Sequence, residues 1–322
     1  MRSPWLGSRM RSVVYDRYGP PSVLELRELA APKPLPGEVL VRVKAAGLNP
    51  KDSFVRKGRF RAVTGRTFPR QLGYDFAGTI ESLGRGASGL DVGAPVFGMI
   101  NGWAGGTLAE LIVAQVDELS AKPATVSFEQ AAAVPLAALT ALQALRDEAK
   151  LRSGDELIIH GASGGVGLFA IQLARAMGAT VTTTSSERNL ELCRQLGSTR
   201  TLDYHRTSGL ETPGAWRVFF DVFGNRSFSA VKPALRERGV FVSTVPSPCL
   251  AWQQLLTRFA KRRARLVQVR SNSADLAYLG GLIDAGHLVP VIDRVWPLAS
   301  AAEAQAHIET KRTRGKVVIT LE

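Results

Sequence analysis

The stretch Glu156–Ser186 constrains the fold more than any other part of this sequence. It begins with a short apolar run, Leu157–His160, whose length and β-branched character predict a strand. A glycine-dense turn follows, and apolar residues then recur at helical spacing until Gly178, a residue type common just after a helix. A second strand-like segment, Thr180–Ser185, comes directly afterwards. This order predicts a strand–helix–strand unit within a parallel sheet.

The turn in this unit has the composition of a dinucleotide-binding turn. Glycines there let the backbone approach a pyrophosphate, and the start of the helix offers free N–H groups and a positive dipole end. A glycine-rich turn by itself is weak evidence, but the strand before it, the helix after it and the second strand are all present. We therefore predict a dinucleotide site, with a phosphate-free structural turn as the alternative. The predicted binding residues are Gly161, Ala162, Ser163, Gly164, Gly165, Val166 and Gly167.

Strands and helices continue to alternate after this unit. Apolar runs at Val218–Val222, Val240–Thr244 and Leu266–Val269 predict further strands, and the first of them leads to Gly224. Alternation of this kind predicts an α/β domain with a doubly wound parallel sheet.

The first third of the chain has a different pattern. From Val13 to Leu119, strand-like segments are separated by Gly, Pro and Asp, and helical periods are scarce, which predicts a mainly-β domain. The last 50 or so residues are too few for a core of their own, so we expect them to complete this first domain, which is then discontinuous. The predicted domains are 10–130 with 271–322, and 131–270, preceded by an N-terminal extension, 1–9.

Composition limits the possible setting and partners. No apolar run reaches the roughly 18 residues of a membrane span, and two widely spaced cysteines fit no disulfide or metal pattern, so a cytoplasmic location without a membrane partner is expected. The net charge of +13 raises the question of nucleic acid. However, the basic residues are scattered, except in Arg258–Arg265. We interpret that run as a solvated helix end or loop leading into the last strand, with RNA or anionic-surface contact as the alternative.

Several motifs resemble one enzyme family. Gly47–Asp52 is similar to its GxNxxD segment, Phe68–Gly78 to its glycine-rich strand entry, and Arg314–Val318 to part of its C-terminal signature. Together with the AxGGxG form of the turn, they resemble the zinc-independent quinone oxidoreductases of the medium-chain dehydrogenase/reductase superfamily. The resemblance implies a GroES-like domain and a Rossmann domain, an active site in the cleft between them, and a homodimer.

The resemblance also argues against zinc. In the metal-dependent branch a cysteine and a His-Glu pair hold the catalytic ion, whereas here Asn49 lies near the first position and Tyr74-Asp75 at the second. A lobe with four cysteines is missing, and the four histidines fall in separate predicted elements. Zinc requires three or four ligands from Cys, His or carboxylate, so we expect no metal site.

The end of the second strand of the dinucleotide unit predicts the cofactor. NAD-selective folds carry an acidic residue there, but this strand ends with two hydroxyls, Ser185 and Ser186, followed closely by Arg188. Hydroxyl donors and an arginine suit a 2′-phosphate, which favours NADPH. Glu187 is the complication, because NADH would compete if this side chain turned inward.

Four further cofactor residues are proposed. They are Thr140, placed by the resemblance near the nicotinamide, Tyr204, Gly224 and Lys316. For Tyr204 an ordinary strand-end tyrosine, and for Lys316 an exposed lysine, are equally acceptable interpretations.

Without a metal or an activated nucleophile, the cofactor must supply the difficult step and the protein must supply position and charge. A quinone or an α,β-unsaturated carbonyl suits hydride transfer, because its oxygen takes the charge away from the attacked carbon. Asn49 is the first candidate for orienting a carbonyl, with turn capping as the alternative. Arg270 is the candidate for stabilising the reduced oxygen, with a surface role as the alternative. The predicted substrate-lining residues are Phe54, Phe60 and Tyr74.

We therefore predict an NADPH-dependent, zinc-free reductase of quinones or enones. Because the resemblance implies that relatives carry tyrosines where Phe54 and Phe60 stand, protonation by solvent is expected. The alternatives are an enoyl or 2-alkenal reductase, and a non-catalytic protein that binds NADPH and RNA as zeta-crystallins do. Binding of nucleic acid is not the favoured interpretation.

Overall fold

The computed structural model describes residues 9–103 and 105–321, which form two compact units. Unit 1 comprises the described residues up to Leu136, together with Ser271–Gly286 and the described residues from Pro290 onwards. Unit 2 comprises Ala137–Arg270 and His287–Val289. The predicted N-terminal extension lies outside the described residues, apart from Arg9, where the first strand begins.

The strands are β1 (Arg9–Tyr15), β2 (Glu25–Ala30), β3 (Glu38–Leu48), β4 (Arg70–Gln71), β5 (Asp75–Leu83), β6 (Pro95–Met99), β7 (Leu111–Gln115), β8 (Leu119–Ala121), β9 (Glu156–His160), β10 (Thr180–Ser185), β11 (Arg200–Asp203), β12 (Trp216–Asp221), β13 (Leu235–Ser243), β14 (Arg263–Leu266), β15 (Ile292–Pro297) and β16 (Lys316–Thr320). The α-helices are α1 (Pro50–Arg56), α2 (Arg61–Thr64), α3 (Phe128–Ala132), α4 (Pro135–Gln143), α5 (Gly165–Ala176), α6 (Leu190–Gln195), α7 (Phe228–Val231), α8 (Pro248–Leu256), α9 (Ser273–Asp284) and α10 (Ala301–Glu309).

Unit 1 contains a seven-stranded sheet, and strands from the first and last parts of the chain both contribute to its buried core. The strand order is β15-β16-β3-β5-β6-β8, and β7 pairs with β3 as well. β16 runs antiparallel to β3, with Val317 opposite Leu48. Val317 and Ile319 are buried in the same apolar cluster as Val41 and Val43 of β3. This pairing confirms the prediction of a discontinuous, mainly-β domain.

Unit 2 contains a six-stranded sheet in the order β11-β10-β9-β12-β13-β14, and all of its neighbours are parallel. The chain starts at the central strand β9, builds outward to β11, and then returns to build outward on the other side to β14. Ile158, Phe219 and Phe241 of three neighbouring strands are fully or almost fully buried in its core. The predicted doubly wound fold is confirmed.

One prediction of local structure is wrong. The last strand of unit 2 is Arg263–Leu266 and not Leu266–Val269, so it begins inside the basic run. Only Ala264 of this strand is buried, and an edge strand of this kind tolerates polar side chains because one of its sides has no strand neighbour. The helices α1 and α2 are short, as the scarcity of helical periods in this region predicts.

The residues 131–136, which we placed with the nucleotide-binding domain, belong to unit 1. The carbonyl oxygen of Ala132 would lie 2.2 Å from a Cβ at Gly47, so α3 packs directly on β3 and the site requires glycine. None of the helices among the described residues has both the length and the apolar character that a membrane crossing requires.

Candidate cofactor site and candidate active site

The glycine turn of unit 2 leaves the start of α5 open. Gly161 has φ +80°, and a Cβ there would lie 2.8 Å from the Cβ of Phe223. A Cβ at Gly167 would lie 2.4 Å from the carbonyl oxygen of Ala162, so the helix packs tightly on the turn. Gly164 is the N-cap of α5, with no side-chain cap and no acidic residue in the first turn. The first N–H groups of the helix therefore point at a place where an anion would be stabilised.

Three polar residues lie at the carboxyl edge of the sheet beside this turn. In the register of β9, β10 and β12, His160 stands opposite Thr184 on one side and Asp221 on the other. The two ring nitrogens of His160 are 2.7 Å from the Thr184 hydroxyl and 2.9 Å from the amide oxygen of Asn225. Burial lowers the pKa of His160 and raises the pKa of Asp221. The imidazole is therefore neutral at pH 7 and ties the ends of the strands to the following loop.

The predicted residue Gly224 lies in that loop, directly after β12. Its N–H donates to the Asp221 carboxylate at 2.8 Å, and its φ is +76°. A Cβ there would lie 2.2 Å from Val245, so only glycine fits. The loop backbone is thus fixed at the edge of the sheet where open α/β folds bind their ligands.

The two serines at the end of β10 differ in their exposure. Ser185 is buried, and its hydroxyl donates to the carbonyl oxygen of Ser186 at 3.3 Å. Ser186 is half-buried, and its hydroxyl accepts from the amide nitrogen of Asn189 at 3.1 Å. The same nitrogen donates to Ser163 in the glycine turn at 3.0 Å. Asn189, which the sequence did not single out, thus joins the turn to the end of β10.

Charged residues follow β10 and β11. Glu187 is exposed, and its carboxylate lies 3.5 Å from the guanidinium of Arg206. Arg188 and Tyr204 are also exposed, and the Tyr204 ring lies 4.3 Å from the ring of His205. Arg206 was missed because its pairing with Glu187 depends on the parallel register of β10 and β11. The positive charge of Arg206 offsets the negative charge of Glu187, the residue that complicated the prediction of the cofactor.

A second polar cluster is buried at one edge of the unit 1 sheet. The end of β3 and the starts of β5 and β16 meet there because the strands are antiparallel neighbours. The Lys316 ammonium donates to the Asn49 amide oxygen at 2.5 Å and to Asp75 Oδ2 at 3.1 Å. The Asn49 amide nitrogen also donates to Asp75 Oδ2, at 3.0 Å, and the N–H of Leu136 donates to Asp75 Oδ1 at 2.8 Å.

This cluster shows what Asn49 and Lys316 contact within unit 1. The Asn49 side chain is 2% exposed and uses both of its amide atoms inside unit 1, where Asn49 is also the N-cap of α1. It therefore links Lys316 to Asp75, and its role in orienting a carbonyl stays a prediction. Lys316 is neither exposed nor part of the nucleotide-binding unit, since it is buried as the partner of Asp75.

Asp52 lies next to the cluster and is fully buried. It completes a capping box with Asn49, whose N–H donates to Asp52 Oδ2 at 2.6 Å. The other carboxylate oxygen, Oδ1, has no hydrogen-bond partner. Burial raises the pKa of Asp52 to about 7, against the opposing effect of the Asn49 hydrogen bond. This carboxyl therefore titrates near neutral pH.

An aromatic cluster with a lysine lies beside α1. The Lys51 ammonium is 3.6 Å from the ring centroid of Tyr74 and 5.1 Å from that of Trp103. The rings of Phe60 and Trp103 lie 4.9 Å apart between centroids and are tilted by 45°. The Tyr74 hydroxyl donates to the backbone carbonyl of Trp103 at 3.1 Å, and burial raises the pKa of this phenol. Tyr74 is thus buried and held, and its ring face is covered by a cation.

Lys51 is the residue in this cluster that the sequence did not single out, although it lies inside the GLNPKD motif. Burial lowers the pKa of its ammonium. The predicted lining residues Phe60 and Tyr74 are brought together here. Phe54 is half-buried, and the guanidinium of Arg59 lies over its ring at 4.7 Å.

Two predicted residues remain, both in unit 2. Thr140 is buried within α4. Arg270 has an exposed side chain, and its backbone is held by Gln143, which accepts from the Arg270 N–H at 3.0 Å and donates to the carbonyl oxygen at 2.7 Å. Their roles stay predictions.

Comparisons with known proteins place these features in a family. The family described as "Alcohol dehydrogenase GroES-like domain" matches residues 35–124, and "Zinc-binding dehydrogenase" matches 196–319. The chloroplast envelope quinone oxidoreductase homolog of Arabidopsis thaliana is 31% identical over 97% of this chain and 99% of its own length. The chain belongs to the quinone oxidoreductases of the medium-chain dehydrogenase/reductase superfamily.

Other members extend the range of related activities. The solved quinone oxidoreductase of Coxiella burnetii is 33% identical, with a TM-score of 0.91 over 98% of this chain and 100% of that one. The NADPH-dependent alkenal/one oxidoreductase of Arabidopsis thaliana is 33% identical over 96% of this chain and 79% of its own length. As a member of this family the chain is an oxidoreductase that uses a nicotinamide nucleotide.

The residues present do not fit the zinc that one family description names. Across residues 9–103 and 105–321, no three His, Cys, Asp or Glu side chains are grouped so that they could hold a metal ion. At the Asn49 and Asp75 positions, the oxygens that face a cation are already bonded to the Lys316 ammonium. A metal there would have to displace a buried lysine.

Proposed function

We propose that this protein reduces a quinone or an α,β-unsaturated carbonyl with NADPH and without a metal. The observation that carries the proposal is the open N-terminus of α5 behind a glycine turn, at the carboxyl edge of a parallel sheet. The residues that would hold the pyrophosphate are the turn Gly161–Gly167 and the loop around Gly224. When bound, the nicotinamide cofactor supplies the hydride.

The choice of NADPH over NADH rests on the charges after β10 and β11. Ser186 offers a hydroxyl, and Arg188 and Arg206 offer guanidinium groups, to a 2′-phosphate. Glu187, the only nearby acid in the strand-end segment 185–189, has Arg206 as an ion-pair partner. One relative at 33% identity is also named for NADPH. Ser185 is left out of this proposal because it is buried.

Lys51 is our candidate for the group that stabilises the reduced acceptor. An enolate or hydroquinone oxygen needs a positive charge or a proton, and no metal would provide it. Tyr74 Oη already donates to a carbonyl oxygen, and phenylalanine stands at positions 54 and 60. Lys51 Nζ lies among aromatic rings that suit a planar acceptor, and its lowered pKa makes it a better proton donor than an exposed lysine.

Some relatives are named for quinones and others for α,β-unsaturated carbonyl compounds. The 2-methylene-furan-3-one reductase of Solanum lycopersicum is 34% identical over 97% of this chain, and the alkenal/one oxidoreductase is almost as similar. We therefore propose enones as the second candidate substrates.

We also propose a homodimer, which light scattering of the purified chain would test.

The test is a comparison of cofactors and acceptors. NADPH oxidation at 340 nm would be followed with 1,2-naphthoquinone and with trans-2-hexenal, each also with NADH. We expect turnover with at least one acceptor and a preference for NADPH. In the variant Arg188→Gln/Arg206→Gln this preference should fall by roughly tenfold or more, since each charge-assisted hydrogen bond contributes about 1.5–3 kcal/mol.

The matched control for that variant is Arg194→Gln, another exposed arginine paired with an acid, on α6. It should keep the preference of the original chain. Equal use of NADH by the unmodified protein would refute the cofactor assignment. Tight binding of NADPH with no turnover of either acceptor would favour the non-catalytic alternative, and stoichiometric zinc in the purified protein would contradict the metal-free proposal.

A further inference from the structure

The segment 53–74 of unit 1 carries positive charge and no negative charge. It contains six basic residues and neither Asp nor Glu. Glu309 of α10 pairs with two of them, Arg56 and Lys57. Within the described residues, no acid pairs with the other four, which are Arg59, Arg61, Arg66 and Arg70.

Three of these arginines, Arg59, Arg61 and Arg66, have exposed side chains. In the part of the chain that the structure describes, none of their guanidinium groups is hydrogen-bonded to an acceptor. Arg11, an exposed arginine elsewhere in unit 1, is by contrast paired with Glu110 at 2.7 Å. We call the three side chains the basic rim. Its charge is available to a group from outside the chain.

Two half-buried side chains hold the backbone of this segment. The Arg70 guanidinium donates to the carbonyl oxygen of Thr67 at 3.2 Å and also to that of Thr64. The Tyr18 hydroxyl lies 2.9 Å from Thr64 Oγ1 and donates to the carbonyl oxygen of Gly65. The turn after α2 is therefore fixed before any ligand arrives, which reduces the entropic cost of binding.

The basic rim adjoins the aromatic cluster of the candidate active site. Phe60 stands between Arg59 and Arg61 in the chain, and its ring centroid is 4.9 Å from that of Trp103. The Arg59 guanidinium lies over the ring of Phe54, at 4.7 Å. A guanidinium that stacks on a ring face keeps its N–H edge for an anion. The cations thus stand beside the rings that suit a planar acceptor.

We propose that the acceptor carries an anionic group, a carboxylate or a phosphate ester, on a substituent of its conjugated core. This inference rests on the proposed function and names the substrate class within it. The aromatic rings would hold the core, Lys51 would face the oxygen that is reduced, and the basic rim would bind the anion. The anionic group only binds, so the bond changes remain those of the proposed reduction.

Exposure limits how strongly the basic rim can act. An ion pair in contact with solvent is weak, so each arginine should favour the anion by roughly twofold to threefold. Three arginines together then give about tenfold or more for a monoanion. A neutral acceptor of the same shape gains nothing from these charges.

The experiment compares three acceptors that share one core. They are 2-methyl-1,4-naphthoquinones with a propionate, a propyl phosphate or a propionamide chain at position 3, and kcat/KM is measured for each with NADPH. We expect the anionic acceptors to exceed the amide by about tenfold or more at low ionic strength. The ratio should shrink as salt is raised to about 0.3 M, because exposed charges are screened.

The two anions identify the source of the charge. A preference for the propionate alone assigns a carboxylic acid, and a preference for the phosphate alone assigns a phosphate ester. Either result, or a preference for both, supports an anionic acceptor.

The variant Arg59→Gln/Arg61→Gln/Arg66→Gln removes the basic rim. The ratio of kcat/KM between the propionate and the propionamide should fall in this variant to about one, since the charges that distinguish the two acceptors are gone. Circular dichroism and NADPH binding verify that the variant is folded.

The matched control removes the same amount of charge elsewhere. Arg85→Gln/Arg175→Gln/Arg200→Gln changes three exposed arginines outside the segment, and these also have no ion pair within the described residues. This control should keep the ratio of the original chain. The comparison separates a local effect of the basic rim from an effect of net charge.

A binding measurement separates this inference from the proposed function. 3-(2-Naphthyl)propionate and its amide cannot accept a hydride, so their binding in a calorimeter does not depend on turnover. Tighter binding of the propionate, lost in the rim variant, supports the anion site even when neither quinones nor enals are reduced. In that case the proposed function fails and the site stands.

Four results would overturn the proposal. The first is equal kcat/KM for charged and neutral acceptors, together with equal binding of the two naphthyl compounds. The second is a ratio that the rim variant retains. The third is a ratio that the control variant loses to the same extent. The fourth is RNA binding that the rim variant weakens, without any preference for the anionic acceptors.

Discussion

Asp52 should make the stability of unit 1 depend on pH in an unusual direction. Burial raises its pKa from an ordinary 3.8 to about 7. At a pH between these two pKa values, Asp52 is protonated in the folded state and ionised in the unfolded state. The contribution of the protonated Asp52 carboxyl to the free energy of unfolding is therefore complete below about pH 4 and is lost as the pH rises through about 7. The gap of roughly three pH units corresponds to about 4 kcal/mol.

The substitution Asp52→Asn tests this magnitude. Asparagine can still accept the Asn49 N–H but cannot ionise, so the variant lacks the pH-dependent loss. We expect the free energy of unfolding of the original, minus that of the variant, to fall by about 4 kcal/mol between pH 4 and pH 8. Urea titrations would measure it, with amide exchange in β3 and β5 reporting on unit 1 and exchange in β9 and β12 on unit 2. Any constant cost of the extra amide donor cancels, because only the change with pH is compared.

The exposed Asp91, changed to Asn, is the control and should give a difference that does not vary in this way. A difference between the original and Asp52→Asn that stays constant within about 1 kcal/mol over the same range would refute the reasoning, since it would show that the carboxyl ionises as it does in water.

Three further outcomes are expected. Lys316→Met should destabilise unit 1 by about 3–5 kcal/mol in urea titration, because Asp75 keeps a buried charge without its cation. The double variant Lys316→Met/Asp75→Asn should recover part of this loss, and an equal loss in both variants would argue against the ion pair. Gly167→Ala should lower the melting temperature because the new Cβ would lie 2.4 Å from a backbone oxygen. Gly164→Ala, whose Cβ would have one atom within 4 Å beyond its chain neighbours, at 3.9 Å, should keep the melting temperature and weaken NADPH binding in a fluorescence titration. The reverse pattern would contradict the packing. Lys51→Met should lower kcat with naphthoquinone by roughly a hundredfold and remove the basic limb of its pH profile, and a profile like that of the original would exclude Lys51 as the proton donor.

Local patterns were sufficient to predict the dinucleotide unit. Its strand, turn and helix are neighbours in the chain, and the roles of Gly161 and Gly167 follow from close backbone approaches within that short segment. The strand β14 was misplaced because two of its four residues are arginines, and an apolar pattern cannot reveal an edge strand that buries one side chain.

The polar clusters could not be predicted, because they depend on distant pairings. Lys316 and Asn49 are 267 positions apart and meet only because β16 and β3 are neighbours in the sheet. The sequence matched Lys316 and Asn49 to positions in the family but could not show that their side chains are hydrogen-bonded to each other. Lys51 was overlooked for a similar reason, since its aromatic partners Tyr74 and Trp103 come from other elements.

The distance along the chain between Asp75 and Lys316 has a consequence for biosynthesis. They are separated by 241 positions, so at about 5–20 residues per second a ribosome needs tens of seconds to make the cation after the carboxylate. Through that interval the nascent first half has an unneutralised acid and an open edge on β3, while the contiguous stretch Ala137–Arg270 is already complete. The part of the protein that is translated first is therefore the last to mature, and it is the part that chaperones have to protect.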